Sequence, residues 1–230
     1  MRYVATLIFI IFSIMVYGLL TQLNWPLRSL LYIPLTSVLA FITVFIHEAG
    51  HAVAARLYKR RVLAFVALPF EWRFRPLRVS FADPGLRGSD IGGYVHYAVD
   101  GPQSRREAAL IAFAGPAANF LLAGLALLFA YWFTMRTGAP SLPRIIPDAV
   151  MAPGVHNSTA TPPWAMLPPD EEVRRALAMA SYFHPKNVIA ILAEALGALS
   201  LGTGIANLIP YRDSDGSVIF DALFRGRSRA

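Results

Sequence analysis

His47 and His51 stand four residues apart around Glu48, in the run His47-Glu48-Ala49-Gly50-His51, inside a long apolar stretch with almost no other charge. On a helix, residues four apart lie on one face, so both imidazoles can reach one Zn²⁺, and Glu48 is near enough to take a proton from a water at the metal. An ionisable side chain at membrane depth is costly and marks a functional site by default. The chain has no cysteine, which excludes thiolate ligands and disulfides, so any zinc must be held by histidine and carboxylate. A catalytic zinc commonly has three protein ligands and one open position. The third ligand must therefore come from another part of the chain.

Composition identifies the solvent. A hydrophobic fraction of 56%, a charged fraction of 15% and a mean hydropathy of +0.48 describe an integral membrane protein rather than a soluble domain. The first apolar segment, about 3–23, is long enough to cross a hydrocarbon core about 30 Å thick, and it reads as a membrane helix rather than a cleaved leader. The second is expected to start near Pro34, a good first-turn residue, and to end at Tyr58-Lys59-Arg60-Arg61. His51 would lie about 12 Å along the axis from Lys59, below the basic surface but not at mid-membrane. Ala49, Gly50, Ala52, Ala54 and Ala55 allow another helix to approach closely.

Hydropathy falls between Arg61 and Arg106. Val62 to Leu68 is β-prone, and Trp72 and Phe74 alternate with Arg73 and Arg75 before the phase flips at Pro76. A half-buried hairpin or bent ribbon is expected here, spanning about 62–100. Gly92-Gly93 opens another strand signal through Tyr97, and paired glycines permit either a kinked hairpin or the close approach of a docked extended peptide. His96, a lone histidine, reads as a polar-face residue.

A third apolar segment, about 107–135, carries Ala114-Gly115-Pro116-Ala117-Ala118-Asn119. Pro116 frees a backbone carbonyl and Asn119 brings an amide to membrane depth, so both need partners inside the bundle. A Pro-rich loop, 137–186, follows, with Trp164 and Tyr182 as interface anchors and Asp170 as a helix cap. The fourth segment, about 187–209, has Ser200, Thr203 and Asn207 on one stripe, with Glu194 nearer its other end. Pro210 stops it just before Asp213 and Asp215.

Charge orients this arrangement. With the connection between spans two and three in the cytoplasm, that side holds Arg2, the ten basic residues from Arg56 to Arg106, and Arg212, Arg225, Arg227 and Arg229, fifteen of the 21 Lys and Arg. That matches the positive-inside rule, so the net charge of +7 calls for no nucleic-acid partner. The same topology brings His47, His51, Asn119, Asn207 and the Asp213/Asp215 pair to one side. Either aspartate can complete a two-histidine zinc site, with Glu48 as general base, and the reaction class implied is amide hydrolysis.

The zinc motif on a membrane helix, Gly115-Pro116-Ala117-Ala118-Asn119, and Asn207-Leu208-Ile209-Pro210 leading to Asp215-Gly216 resemble, in that order, the site-2 protease family of intramembrane zinc metalloproteases. Gly92-Gly93-Tyr94-Val95 is similar to the family's membrane-associated β segment. The resemblance covers about 34–224 of a single membrane domain. It implies an all-α membrane fold of about four transmembrane helices with a small β hairpin or ribbon between helices two and three. It further implies one Zn²⁺ per chain on His47, His51 and Asp215, Glu48 as catalytic base, and Asn119, Asn207, Gly92 and Gly93 in contact with the substrate or the transition state. The expected partners are the lipid bilayer and a membrane-protein substrate with a transmembrane helix. The expected location is a bacterial plasma membrane, with both termini cytoplasmic. A zinc-binding scaffold that holds a partner helix without cutting it is the alternative. Tyr211-Arg212-Asp213-Ser214 departs from the family's more apolar run before the aspartate, which keeps Asp213 open as the ligand.

Overall fold

An apolar run in lipid must satisfy its own backbone, which favours helices, and the computed structural model is helical along each of the four apolar runs. It describes residues 2–21, 28–74, 76–82, 92–99, 101–137, 185–211 and 214–224. The order is α1 (Arg2–Thr21), α2 (Arg28–Leu57), β1 (Val62–Ala67), β2 (Phe70–Phe74), β3 (Leu77–Phe81), β4 (Gly93–Tyr97), α3 (Arg105–Thr137), α4 (Pro185–Leu208) and α5 (Asp215–Phe224). Three helices are long and apolar enough to cross a membrane, over Tyr32–Leu57, Arg105–Thr137 and Val188–Leu208, and α1 has a shorter described apolar stretch, Ile10–Leu20. The Pro-rich loop with Trp164, Tyr182 and Asp170 lies outside the described residues.

Helix α2 begins at Arg28, ahead of the expected start, and carries Pro34 in its interior. The ring removes one backbone donor, a defect that membrane helices tolerate when neighbours and side chains re-satisfy the freed groups. Nearby, the Ser37 hydroxyl donates to the Ile33 carbonyl at 2.8 Å. Val16, Leu19 and Leu20 of α1, Tyr32 and Leu39 of α2, and Ile191, Ala195, Ala198 and Leu199 of α4 form one buried cluster. Ser200 lies in the same interface, fully buried, 3.3 Å from the Thr43 hydroxyl. The polar stripe expected on α4 thus faces inward at Ser200, while Thr203 bonds back to the Leu199 carbonyl of its own helix.

Between α2 and α3 in the chain, the expected ribbon is part of a larger unit, a four-stranded antiparallel sheet in the order β3-β2-β1-β4. The strand signals at 62–68 and 91–97 are joined because β1 pairs on one side with β2 and on the other with β4. Aromatic contacts dock the sheet on α2, with Phe41 on Phe70 at 5.9 Å and Phe45 on Phe65 and Trp72 at 5.1 and 5.7 Å between ring centroids.

Arg60 closes the junction of α2, sheet and α3. Lys59 turns to φ 59°, the Arg60 N–H reaches the Ala55 carbonyl at 2.9 Å, and the helix ends in a left-handed cap. The Arg60 guanidinium then forks onto Glu107 in the first turn of α3, with Nη2 3.0 Å from Oε2, and donates to the Pro102 carbonyl at 3.3 Å. Above this junction α2 and α3 meet at Gly50, where a β-carbon would fall 2.3 Å from the Ala114 carbonyl oxygen and 2.9 Å from the Ala118 methyl. A Gly50→Val protein is expected to lose at least about 3 kcal/mol through forced separation of the helices, the upper end of overpacking costs. Thermal unfolding in detergent checks it.

Candidate metal centre

Three helices supply the centre. His47 and His51 are one turn apart on α2, their rings 4.8 Å between centroids and nearly perpendicular. His47 is buried and His51 is partly buried. Their Nε2 atoms are 3.2 Å apart, and Asp215 at the start of α5 places Oδ2 3.0 Å from His47 Nε2 and Oδ1 3.3 Å from His51 Nε2. A tetrahedral cation with bonds of about 2.0–2.1 Å separates its ligand atoms by about 3.3 Å. The two ring nitrogens match one such edge, and with one ligand atom taken from each residue all three lie within 4.8 Å of one another, so His47, His51 and Asp215 form a metal-competent cluster among the described residues.

Helix α3 shapes the cluster through positions one turn apart. The Ile111 carbonyl accepts a hydrogen bond from His51 Nδ1 at 2.8 Å, which leaves the Nε2 lone pair free for a cation. One turn on, a β-carbon at Gly115 would lie 2.3 Å from His51 Nε2 and 2.8 Å from His47 Nε2, so only glycine leaves this place clear. One turn further, Asn119 Nδ2 is 3.1 Å from His47 Nδ1. Ile111, Gly115 and Asn119 thus line α3 against the two rings, and Pro116 sits fully buried among them. Gly115 belongs to the Gly115-Pro116-Ala117-Ala118-Asn119 run, where its type alone shows no task. Its signal was its place one turn before Asn119, on the same helix face.

The third ligand depends on how α4 passes into α5. Pro210 follows the end of α4, and Ser214 caps α5, its hydroxyl oxygen accepting from the Ser217 N–H at 3.2 Å and the Tyr211 N–H at 3.1 Å. Gly216 presses against the end of α4, where a β-carbon would fall 2.3 Å from the Leu208 carbonyl oxygen. Asp215 is thereby fixed in the first turn of α5, where the helix dipole favours a negative charge. Asp213 lies outside the described residues.

Glu48 is buried beside the cluster and meets the sheet. A β-carbon on Gly93 would lie 2.7 Å from Glu48 Cγ, 2.9 Å from its Oε1 and 2.5 Å from the Val66 carbonyl oxygen, so the backbone of β4 rests directly on this carboxylate. Gly92, at φ +130°, packs against Val44 one turn earlier on α2. Both glycines thus lie close against α2. Asn207 is half-buried on α4, with no side-chain hydrogen bond to the described residues, and His96 is exposed.

A sequence model of peptidase family M50 matches residues 35–230. The chain belongs to this family. The match takes in α2 from Leu35 onward and every residue of the cluster, and with it the protein is a membrane metalloprotease of a zinc-dependent family. No curated protein and no solved structure matches the chain. The M50 kinship and the ligand spacing agree on the metal, and Gly115→Ala tests the fit. This variant is expected to fold and to bind zinc on the order of 100-fold more weakly, the upper end of the 10–100-fold lost with an orienting contact. Gly124→Ala, where no atom lies within 4 Å of the added carbon, is expected to bind zinc as wild type does. Metal analysis of the two purified variants against wild type gives the answer.

Proposed function

We propose that the protein is an intramembrane zinc endopeptidase that hydrolyses a peptide bond in or near a transmembrane segment of a membrane-protein substrate. The observation that carries this reading is the buried Glu48 carboxylate, which lies beside a three-ligand cluster and beneath a strand at the sheet edge. A scaffold needs the ligands but has no use for that base.

His47, His51 and Asp215 would hold the ion, and zinc bound there supplies a Lewis acid that polarises a carbonyl and acidifies water. Glu48 then acts as general base and acid, removing a proton from the attacking water and delivering it to the leaving amide nitrogen. Burial keeps bulk water away from this transfer.

Strand β4 gives the substrate a place to lie. Leu68 N–H bonds the Gly92 carbonyl and Ala98 N–H bonds the Arg61 carbonyl, both at 2.8 Å, which sets the alternation along β4. The amides of Tyr94 and His96 face β1, and those of Gly93, Val95 and Tyr97 turn to the outer edge. An extended, unwound segment adding to this edge would pair first with Gly93, beside Glu48. Gly92 and Gly93 would then serve the substrate through backbone approach, and Asn207 would line its path. In the same reading α1 is a fourth span, the basic connection and both termini are cytoplasmic, and the membrane is a bacterial plasma membrane.

Purified protein with a panel of single-span substrates tests the mechanism. Glu48→Gln is expected to keep its zinc and to lose cleavage by about 10²–10⁴-fold, the scale of general acid–base catalysis, whereas Asp215→Ala loses the metal. Equal cleavage by wild type and Glu48→Gln would sink the mechanism and leave the scaffold. Edge docking has its own check. Val95→Pro removes an outward-facing N–H that the sheet does not use, so zinc content is expected to hold while kcat/KM falls about tenfold for a hydrogen bond of about 1 kcal/mol and its geometry. Tyr94→Pro, which removes a donor to β1, is expected to disrupt the sheet.

A further inference from the structure

Asn119 has no exposed surface at all, yet it is a polar amide on a membrane-spanning helix. Its Nδ2 lies 3.1 Å from His47 Nδ1, while its Oδ1 is buried without a hydrogen-bond partner. The ring atom it meets is the one that points away from Asp215 and His51, since His47 presents Nε2 to both.

A neutral imidazole has one N–H and one lone pair. When Nε2 gives its lone pair to a cation, the hydrogen sits on Nδ1 and needs an acceptor, and buried donors without one are costly. His51 has the Ile111 carbonyl in that role. At His47 the group in the corresponding place is the Asn119 amide, eight residues and about two turns further along α3. A half-turn of the amide exchanges its oxygen and nitrogen with little change of shape, which brings the orphaned Oδ1 onto Nδ1–H.

We propose that Asn119 is a positioning residue for His47, its amide oxygen accepting from Nδ1–H and thereby holding Nε2 toward the metal, and that it does not touch substrate. This rests on the zinc site proposed above. With no exposed surface, Asn119 offers a docked peptide nothing to touch, and its side chain meets the ring it orients. The two ligands of α2 are thus set by one face of α3, His51 by a main-chain oxygen and His47 by a side-chain oxygen.

The test measures zinc affinity of the full-length protein in detergent by competition with a chelator, together with kcat and KM at saturating zinc. Asn119→Leu, similar in size but without an acceptor, is expected to weaken zinc binding 10–100-fold, as is usual when a ligand's orienting partner is lost. Asn119→Asp keeps an acceptor in place and is expected to retain wild-type affinity within about threefold, with unchanged KM. Asn119→Ala, which adds no bulk, is expected to follow Asn119→Leu, so poor folding of the leucine variant leaves the result readable. Wild-type zinc affinity in Asn119→Leu or Asn119→Ala, with KM raised, would overturn the proposal in favour of substrate contact. Equal loss of affinity in Asn119→Asp and Asn119→Ala would reduce Asn119 to packing. If wild type itself binds no zinc, the metal site fails first and this proposal with it.

Discussion

The centre depends on the close crossing of α2 and α3. Gly50 lets the backbone of α3 come against α2 at Ala114, and Gly115 leaves clear the place where the two histidine rings meet. Membrane helices gain no hydrophobic drive by meeting each other, so association relies on dense packing and interhelical hydrogen bonds. Here the same few residues supply both. The hydrogen bonds that join α3 to the His51 and His47 rings are available only because two glycines bring the helices within reach.

A second constraint fixes the carboxylate. Asp215 would have little orientation at the end of a free loop, but Ser214 caps α5 and Gly216 presses its first turn on the end of α4. The acid is therefore part of a helix whose start is tied to another helix, and α4 is in turn tied to α2 by the Thr43–Ser200 pair one turn before His47. Three ligands from two distant parts of the chain are thereby brought within 4.8 Å of one another.

The sheet is the third participant. Its aromatic face seats it along α2 from Phe41 to Phe45, and this docking carries β4 to Glu48. Gly93 allows a strand to lie on a buried carboxylate with no side chain between them. The Arg60–Glu107 fork pins the base of this assembly, where the sheet leaves α2 and returns to α3.

Local sequence determined much of this. The spacing of His47, Glu48 and His51 on an apolar run dictated a metal motif on a membrane helix, because helical periodicity puts residues four apart on one face whatever surrounds them. Long apolar stretches dictated helices, and alternation in 62–81 dictated strands. Tertiary structure alone decided the rest. The hairpin became one side of a four-stranded sheet because β1 needed partners on both edges, which no local pattern states. Pro34 was absorbed inside α2, because neighbouring helices can hold a helix past a lost backbone bond. Gly115 looks like any small residue of a membrane helix until α2 is laid against it. Asn119 is a buried amide in the sequence and becomes the partner of His47 only when antiparallel packing brings position 119 of one helix to position 47 of another. Spacing along one helix is set by covalent geometry, whereas meetings between helices are set by which surfaces can approach, and that is a property of the folded chain.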